Sequence, residues 1–189
     1  MEMRSLFSLD LAEQLKGCSH GVCVHKVPDT RPGSAMTVNV HVGLQYEPLE
    51  VTKVIDLVRS PAAGAIVTFS GTTRNSFNGL EVLYLDYEAH DQMATRSLQV
   101  ICQEASLRWN LQGAACFHRL GRVPIGEESI LIAVSSAHRK AAWEAGEWIL
   151  EEAKRKTEVW KKETFLEDQK QREKWKANEE FARKVSETI

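Results

Sequence analysis

The stretch SILIAVSSAHRKAAWEAGEWILEEAKRKTEVWKKETF, residues 129–165, decides the fold. Ser129–Ser136 is a β-branched, apolar run of strand length. Arg139–Lys156 then places Ala142, Ala145, Ile149 and Ala153 at helical spacing, so one face of a helix is apolar. Trp160–Phe165 reads as a short strand after the helix. His138-Arg139 stands at the strand-to-helix junction, and Lys154, Arg155 and Lys156 end the helix. From Lys154 to Lys162 there are five Lys or Arg residues and one acid, Glu158. Cations therefore flank both ends of one helix. Such a cluster suits a small phosphorylated substrate, because Arg and Lys hold phosphate by charge and by several hydrogen bonds at once.

Outward from this unit, strands and helices mix without regular alternation. Thr37–Val42 alternates Val38, Val40 and Val42 as a strand does, and Glu50–Arg59 has helical spacing until Pro61 stops it. Gly64–Ser70 is a compact strand, and Gly71–Gly79 is a polar loop with a glycine at each end. Glu81–Glu88 puts Leu83, Leu85 and Tyr87 on one face of a half-buried strand. Ala94, Leu98, Ile101 and Ala105 make His90–Trp109 an amphipathic helix. Ala114–Arg119 is strand-like, and Gly121–Glu128 is a turn around Pro124 and Gly126. Adjacent strand pairs among helices predict an α+β fold with a mixed, mainly antiparallel sheet.

The 189 residues divide into a loosely attached, flexible N-terminal extension (1–36), one catalytic-sized domain (37–166) and a charged tail (167–189). From Glu167 the tail carries six basic and six acidic residues, and Trp175, Phe181 and Val185 are sparse anchors for a partly docked helix. Apolar residues make up 43% of the chain, enough for a core, and the formal net charge of −2 argues against a general nucleic-acid binder. No apolar run approaches the about 20 residues that a membrane helix needs. The N-terminus has acids close behind its few apolar residues, a poor secretory signal, so the cytosol is the expected compartment. Cys18, His20, Cys23 and His25 lie close together, but no second ligand pair follows at finger-like spacing, and no metal site is expected. Cys102 and Cys116 fall where packing residues belong.

Four segments carry side chains fit for chemistry. Gly71-Thr72-Thr73-Arg74-Asn75 follows a buried strand and offers backbone N–H groups and a guanidinium to an anion, although such residues more often form a solvated turn. His138-Arg139 is either an anion site at a helix start or an ordinary first turn. Lys154 and Lys161 have cations nearby that would favour a neutral amine, but basic residues also simply stabilise a helix C-terminus. His118-Arg119 reads better as a structural pair than as an anion contact.

Taken in order, Phe-Ser-Gly-Thr-Thr-Arg-Asn (69–75), Leu-Asp-Tyr-Glu-Ala (85–89) with Met93-Ala94, Phe-His-Arg-Leu-Gly-Arg-Val-Pro (117–124), Val-Ser-Ser-Ala-His-Arg (134–139) and Val-Trp-Lys-Lys-Glu (159–163) resemble one family. It is the catalytic (large) subunit of molybdopterin synthase, the MoaE family, and the likeness covers about residues 37–180. The resemblance implies an α/β hammerhead fold. It implies a sulfurtransferase that converts cyclic pyranopterin monophosphate (precursor Z) into molybdopterin for molybdenum cofactor biosynthesis. Sulfur would come as a thiocarboxylate on the C-terminal Gly-Gly of a small ubiquitin-like subunit of the MoaD type, within a heterotetramer built on a dimer of large subunits. No cofactor of its own is implied. The family's catalytic lysines fall on Lys154 and Lys161; its substrate contacts fall on Thr72, Thr73, Arg74, His138, Arg139, Lys162 and Glu163 as well as on both lysines. This chain departs from the family pattern at Glu158 and at Gln92, where proline is common.

Two other readings compete. A non-catalytic adaptor would bind the ubiquitin-like carrier without turning over precursor, and a generic phosphate-binding domain would take common nucleotides. The joint presence of Arg74, His138, Arg139, Lys154 and Lys161 favours the enzyme.

Overall fold

The structure, a computed structural model, describes residues 39–165 in full and the backbone of 22–27, 38 and 175–176. Cys18 and His20 of the cysteine–histidine group lie outside the described residues, as do the side chains of Cys23 and His25.

The first sheet has the order β1-β2-β6-β8-β3, with β1 Val22–Val27, β2 Val38–Gln45, β6 Gly113–Arg119, β8 Glu128–Ser136 and β3 Ala65–Thr72. Only the β2–β6 pair is parallel. Helices cover both faces of this sheet, which explains the unbroken apolar runs in β6 and β8. One face packs Val40, Val42, Ala114, Cys116, Ile132 and Val134 against α2 (Asp91–Trp109) and α3 (Arg139–Lys156). The other packs Ala115, Phe117, Leu131 and Ala133 against α1 (Val51–Leu57). The helix faces are those of the sequence pattern: Ala94, Leu98, Ile101 and Ala105 of α2, and Ala142, Ala145, Ile149 and Ala153 of α3, are all buried.

The second sheet runs β10-β9-β5-β4, with β9 Val159–Phe165, β5 Leu80–Ala89, β4 Ser76–Phe77 and β10 Trp175–Lys176; β7 (Gly121–Pro124) also pairs with β5. The architecture is α+β with mixed, mainly antiparallel sheets, as the element order predicts.

Local differences from the sequence expectation have identifiable causes. Within the segment expected to be a loose arm, Val22–Val27 pairs antiparallel with β2, whose outer edge would otherwise expose unpaired backbone groups. In the tail, Trp175–Lys176 is extended against Lys162 and Lys161 rather than helical. The polar loop 71–79 is shorter than expected, because β3 continues to Thr72 and β4 turns into β5 through Asn78-Gly79. Both turn residues have positive φ, 51° and 78°, the two-residue hairpin geometry that Asn-Gly favours. In β5 the register shifts between Val82 and Tyr84, leaving Leu83 as the extra residue of a bulge. Leu83 is therefore exposed and Val82 buried, the reverse of simple alternation from Tyr87 backwards. The expected turn at 121–128 contains strand β7 before it reverses at Gly126.

Candidate functional site

Between the two sheets lies a cavity of about 400 Å³. Its walls come from the C-terminal end of β3 and the loop after it, from β5, from the last turns of α3 and from β9. Each wall follows from a local rule. Strand alternation turns Val159, Lys161 and Glu163 of β9 to the cavity and Trp160 and Lys162 away from it. The bulge in β5 brings Val82, Leu85 and Tyr87 to the same side. Helical spacing puts Leu150, Ala153 and Lys154 of α3 on one wall.

Of the residues singled out in the sequence, Thr72, Arg74, Lys154, Lys161 and Glu163 line this cavity together. The Lys161 ammonium lies 3.8 Å from the carboxylate of Glu163, which is buried. Lys161 also approaches the Phe77 ring, 5.9 Å from its centroid. Thr73 is buried outside the lining, and it anchors the loop through its backbone: its N–H donates to the Glu127 carbonyl at 3.1 Å, and its carbonyl accepts from the Gly126 N–H at 2.9 Å. Arg74 thus projects from a loop that is tied down one residue earlier. Lys162 pairs in register with Asp86 on the opposite face of β9 and does not line the cavity.

His138 and Arg139 stand at the other end of α3, with His138 as the N-cap residue. Sixteen residues of helix separate His138 from Lys154, about 24 Å at the α-helical rise. Within one chain, therefore, the His-Arg pair is not brought to the cavity.

The remaining cations of the basic run are also sorted by the fold. Arg155 and Lys156 both engage Glu152, whose carboxyl is held below its usual range first by the hydrogen bond from Arg155 and further by Lys156. They do not face the cavity. Glu158 is turned toward α2, where its carboxylate accepts from the Ser97 hydroxyl at 2.9 Å and its carbonyl accepts from the His90 N–H. Its charge lies outside the cavity lining, and the altered residue instead ties the α3–β9 connection to the start of α2.

Several lining residues escaped the sequence reading: Phe69, Ser76, Tyr87, Ser129 and Thr157 belong to the cavity, and so does His118. The His118-Arg119 pair divides between two roles. Arg119 is buried and forms an ion pair with Glu127, a structural role, while His118 faces the cavity. Burial pushes the Tyr87 hydroxyl above its usual range; the Ser129 hydroxyl opposes this in part, and the nearby Glu163 charge reinforces it. The signal for Tyr87 was present in the β5 alternation, but only the bulge says which neighbours share its face.

Cationic groups on a loop, a helix end and a strand, set around a partly apolar cavity, can bind an anionic small molecule and present ammonium groups to it. Comparison with known proteins agrees. The MoaE protein family model matches residues 44–156. The molybdopterin synthase catalytic subunit of Neurospora crassa is 52% identical over 141 residues, covering 73% of this chain and 68% of that one. The subunit of the same name from Arabidopsis thaliana is 48% identical over 136 residues, with 72% and 67% covered. Among solved structures, molybdopterin synthase from Staphylococcus aureus superposes with a TM-score of 0.66 at 33% identity, covering 70% of this chain and 94% of that one. With its five motifs in order and its fold shared with these relatives, this chain belongs to the MoaE family.

Proposed function

We infer that this chain is the catalytic subunit of a molybdopterin synthase, a sulfurtransferase acting in molybdenum cofactor biosynthesis. The observation that carries this reading is the convergence of Arg74, Lys154, Lys161 and Glu163 on one cavity in a MoaE-family chain. Its volume, about 400 Å³, is that of a small-molecule site. The substrate is cyclic pyranopterin monophosphate, and two sulfurs are added to form its dithiolene. Each arrives on the C-terminal thiocarboxylate of a MoaD-type ubiquitin-like subunit, so the enzyme needs no cofactor of its own. A Gly-Gly tail has no side chains to exclude it from a narrow groove, and extended backbone recognition suits such a tail.

In this reading Arg74 holds the substrate phosphate. Lys154 sits in the last turn of α3 and lines the cavity. It polarises the thiocarboxylate and supplies a proton to the oxygen that leaves. Glu163 holds Lys161 against the substrate. His138 and Arg139 serve the cavity of a second copy, because the length of α3 keeps them from their own. A dimer of this chain with one small subunit at each end accommodates that arrangement. Among the described residues no helix is long and apolar enough to cross a membrane, and we place the reaction in the cytosol.

The test is product formation. Precursor and thiocarboxylated small subunit are mixed with this chain, and molybdopterin is converted to a fluorescent derivative. Product that requires both proteins supports the reading. A stable complex of the two proteins that gives no product overturns it in favour of an adaptor.

A further inference from the structure

The cavity's charged groups are mostly donors, while its hydroxyls, among them those of Thr72, Ser76 and Thr157, both donate and accept. Arg74, Lys154 and Lys161 are cations that donate only, and they match the phosphate and the carbonyl oxygen of a pyranopterin. The same molecule also carries N–H donors, on its amino group and on its ring nitrogens, and these need acceptors. Glu163 is one acceptor, but its carboxylate is turned toward Lys161.

His118 offers a second, a ring nitrogen that only accepts. Its Nδ1 lies 2.8 Å from the carbonyl oxygen of Arg119. A carbonyl oxygen accepts only, so Nδ1 carries the proton and donates. In the neutral ring Nε2 is then a bare acceptor. The Tyr87 ring meets the imidazole edge to face, at 4.8 Å between centroids and 67° between planes, which holds its orientation. Burial lowers the His118 pKa to about 4, opposed in part by the Arg119 hydrogen bond, so the ring remains neutral at ordinary pH.

We propose that His118 is a substrate-orienting residue, whose Nε2 accepts a hydrogen bond from an N–H group of the pterin ring in the cavity of this chain. The proposal rests on the sulfurtransferase reading and adds to it a determinant of pterin orientation. It separates two tasks: the cations take the phosphate and the developing negative charge, and His118 reads the donor edge of the ring. An acceptor there also discriminates against ligands that present only acceptors at that edge.

Two variants test this. His118→Asn keeps an amide N–H able to donate to the Arg119 carbonyl but removes the acceptor at the Nε2 position. His118→Gln extends an amide oxygen toward that position. With His118→Asn the KM for the pterin rises roughly tenfold, while kcat and the KM for the small subunit stay within about twofold. His118→Gln recovers most of the lost affinity, and equilibrium pterin binding follows the same order. An unchanged pterin KM in His118→Asn overturns the proposal. So does a rise in the KM for the small subunit instead, which would assign the bond to the partner's tail. Equal loss of kcat and melting temperature in both variants overturns it too, as a purely structural role. Wild-type chain that forms no product with both substrates defeats the sulfurtransferase reading itself, a result separate from the other three.

Discussion

The Lys161 ammonium lies 3.8 Å from the Glu163 carboxylate, two residues further along the same face of β9, and Glu163 is only 3% exposed. A buried carboxylate beside a cation fixes the cation's position at a cost in desolvation. Glu163→Gln keeps the shape and removes the charge. We expect kcat to fall at least about tenfold and the melting temperature to fall as well, because the partly buried Lys161 loses the carboxylate that offsets its charge. Steady-state kinetics and a thermal melt on one preparation check both halves.

Lys154 and Arg155 are neighbours in sequence with opposite surroundings. Lys154 lines the cavity, whereas Arg155 engages Glu152 outside it. Lys154→Ala should reduce kcat by about 100-fold or more, the scale of a lost proton donor. Arg155→Ala should leave kcat within about twofold, since exposed ion pairs contribute little. Full activity in Lys154→Ala with thiocarboxylated small subunit would remove this lysine from the chemistry.

Supply of His138 and Arg139 by a second copy predicts complementation. Lys154→Ala and Arg139→Ala chains, each inactive alone, are mixed under conditions of subunit exchange. A mixed dimer then contains one site with both wild-type groups, and it should regain about half the activity of a wild-type dimer. A mixture that stays inactive despite proven exchange would mean that the pair does not act in trans.

Two glycines should respond in opposite directions to alanine. At Gly64 an added Cβ would lie 2.6 Å from the Ala137 carbonyl oxygen, a backbone atom that cannot rotate away. Gly64→Ala should cost about 1–3 kcal/mol. At Gly146 in α3 the new Cβ would meet Val67 and Val134 at 3.5 and 3.6 Å, ordinary contacts. Gly146→Ala should gain up to about 1 kcal/mol from helix propensity. Urea denaturation of both variants, read as midpoint shifts, checks the signs.

His118 makes stability depend on pH. Its folded pKa, about 4, is below the 6.5 of an unperturbed histidine, so between these values the unfolded chain binds more protons. The contribution is therefore complete above about pH 6.5 and is lost as pH falls toward 4, up to roughly 3 kcal/mol. His41 is also lowered by burial and adds to the same trend. Chemical denaturation from pH 7 to pH 4.5 should show the decline, and His118→Asn should flatten it.

The helices were legible because their signal is local. The spacing of Ala142, Ala145, Ile149 and Ala153 defines the buried face of α3 whatever packs on it, and its bounds are those read from the sequence. The bulge at Leu83 was not legible, because it arises from the register with Phe165 and Thr164, residues some eighty positions away. Asn78-Gly79 was a readable hairpin signal that the short strand before it concealed.

Sequence alone determined the class of the fold, the family and the cationic character of the site, since periodicity, motif order and charge all reside in the chain itself. The pairing of Lys161 with Glu163 was not read from the sequence, although strand alternation places residues two apart on one face. Tertiary structure decided which cations face the cavity. Lys154 does, Arg155, Lys156 and Lys162 do not, and helix α3 holds His138 and Arg139 about 24 Å from Lys154. It also turned His118 from half of a structural pair into a wall of the site. The physical reason is direction: a sequence states which groups are charged, but only packing against a second sheet settles where each side chain points.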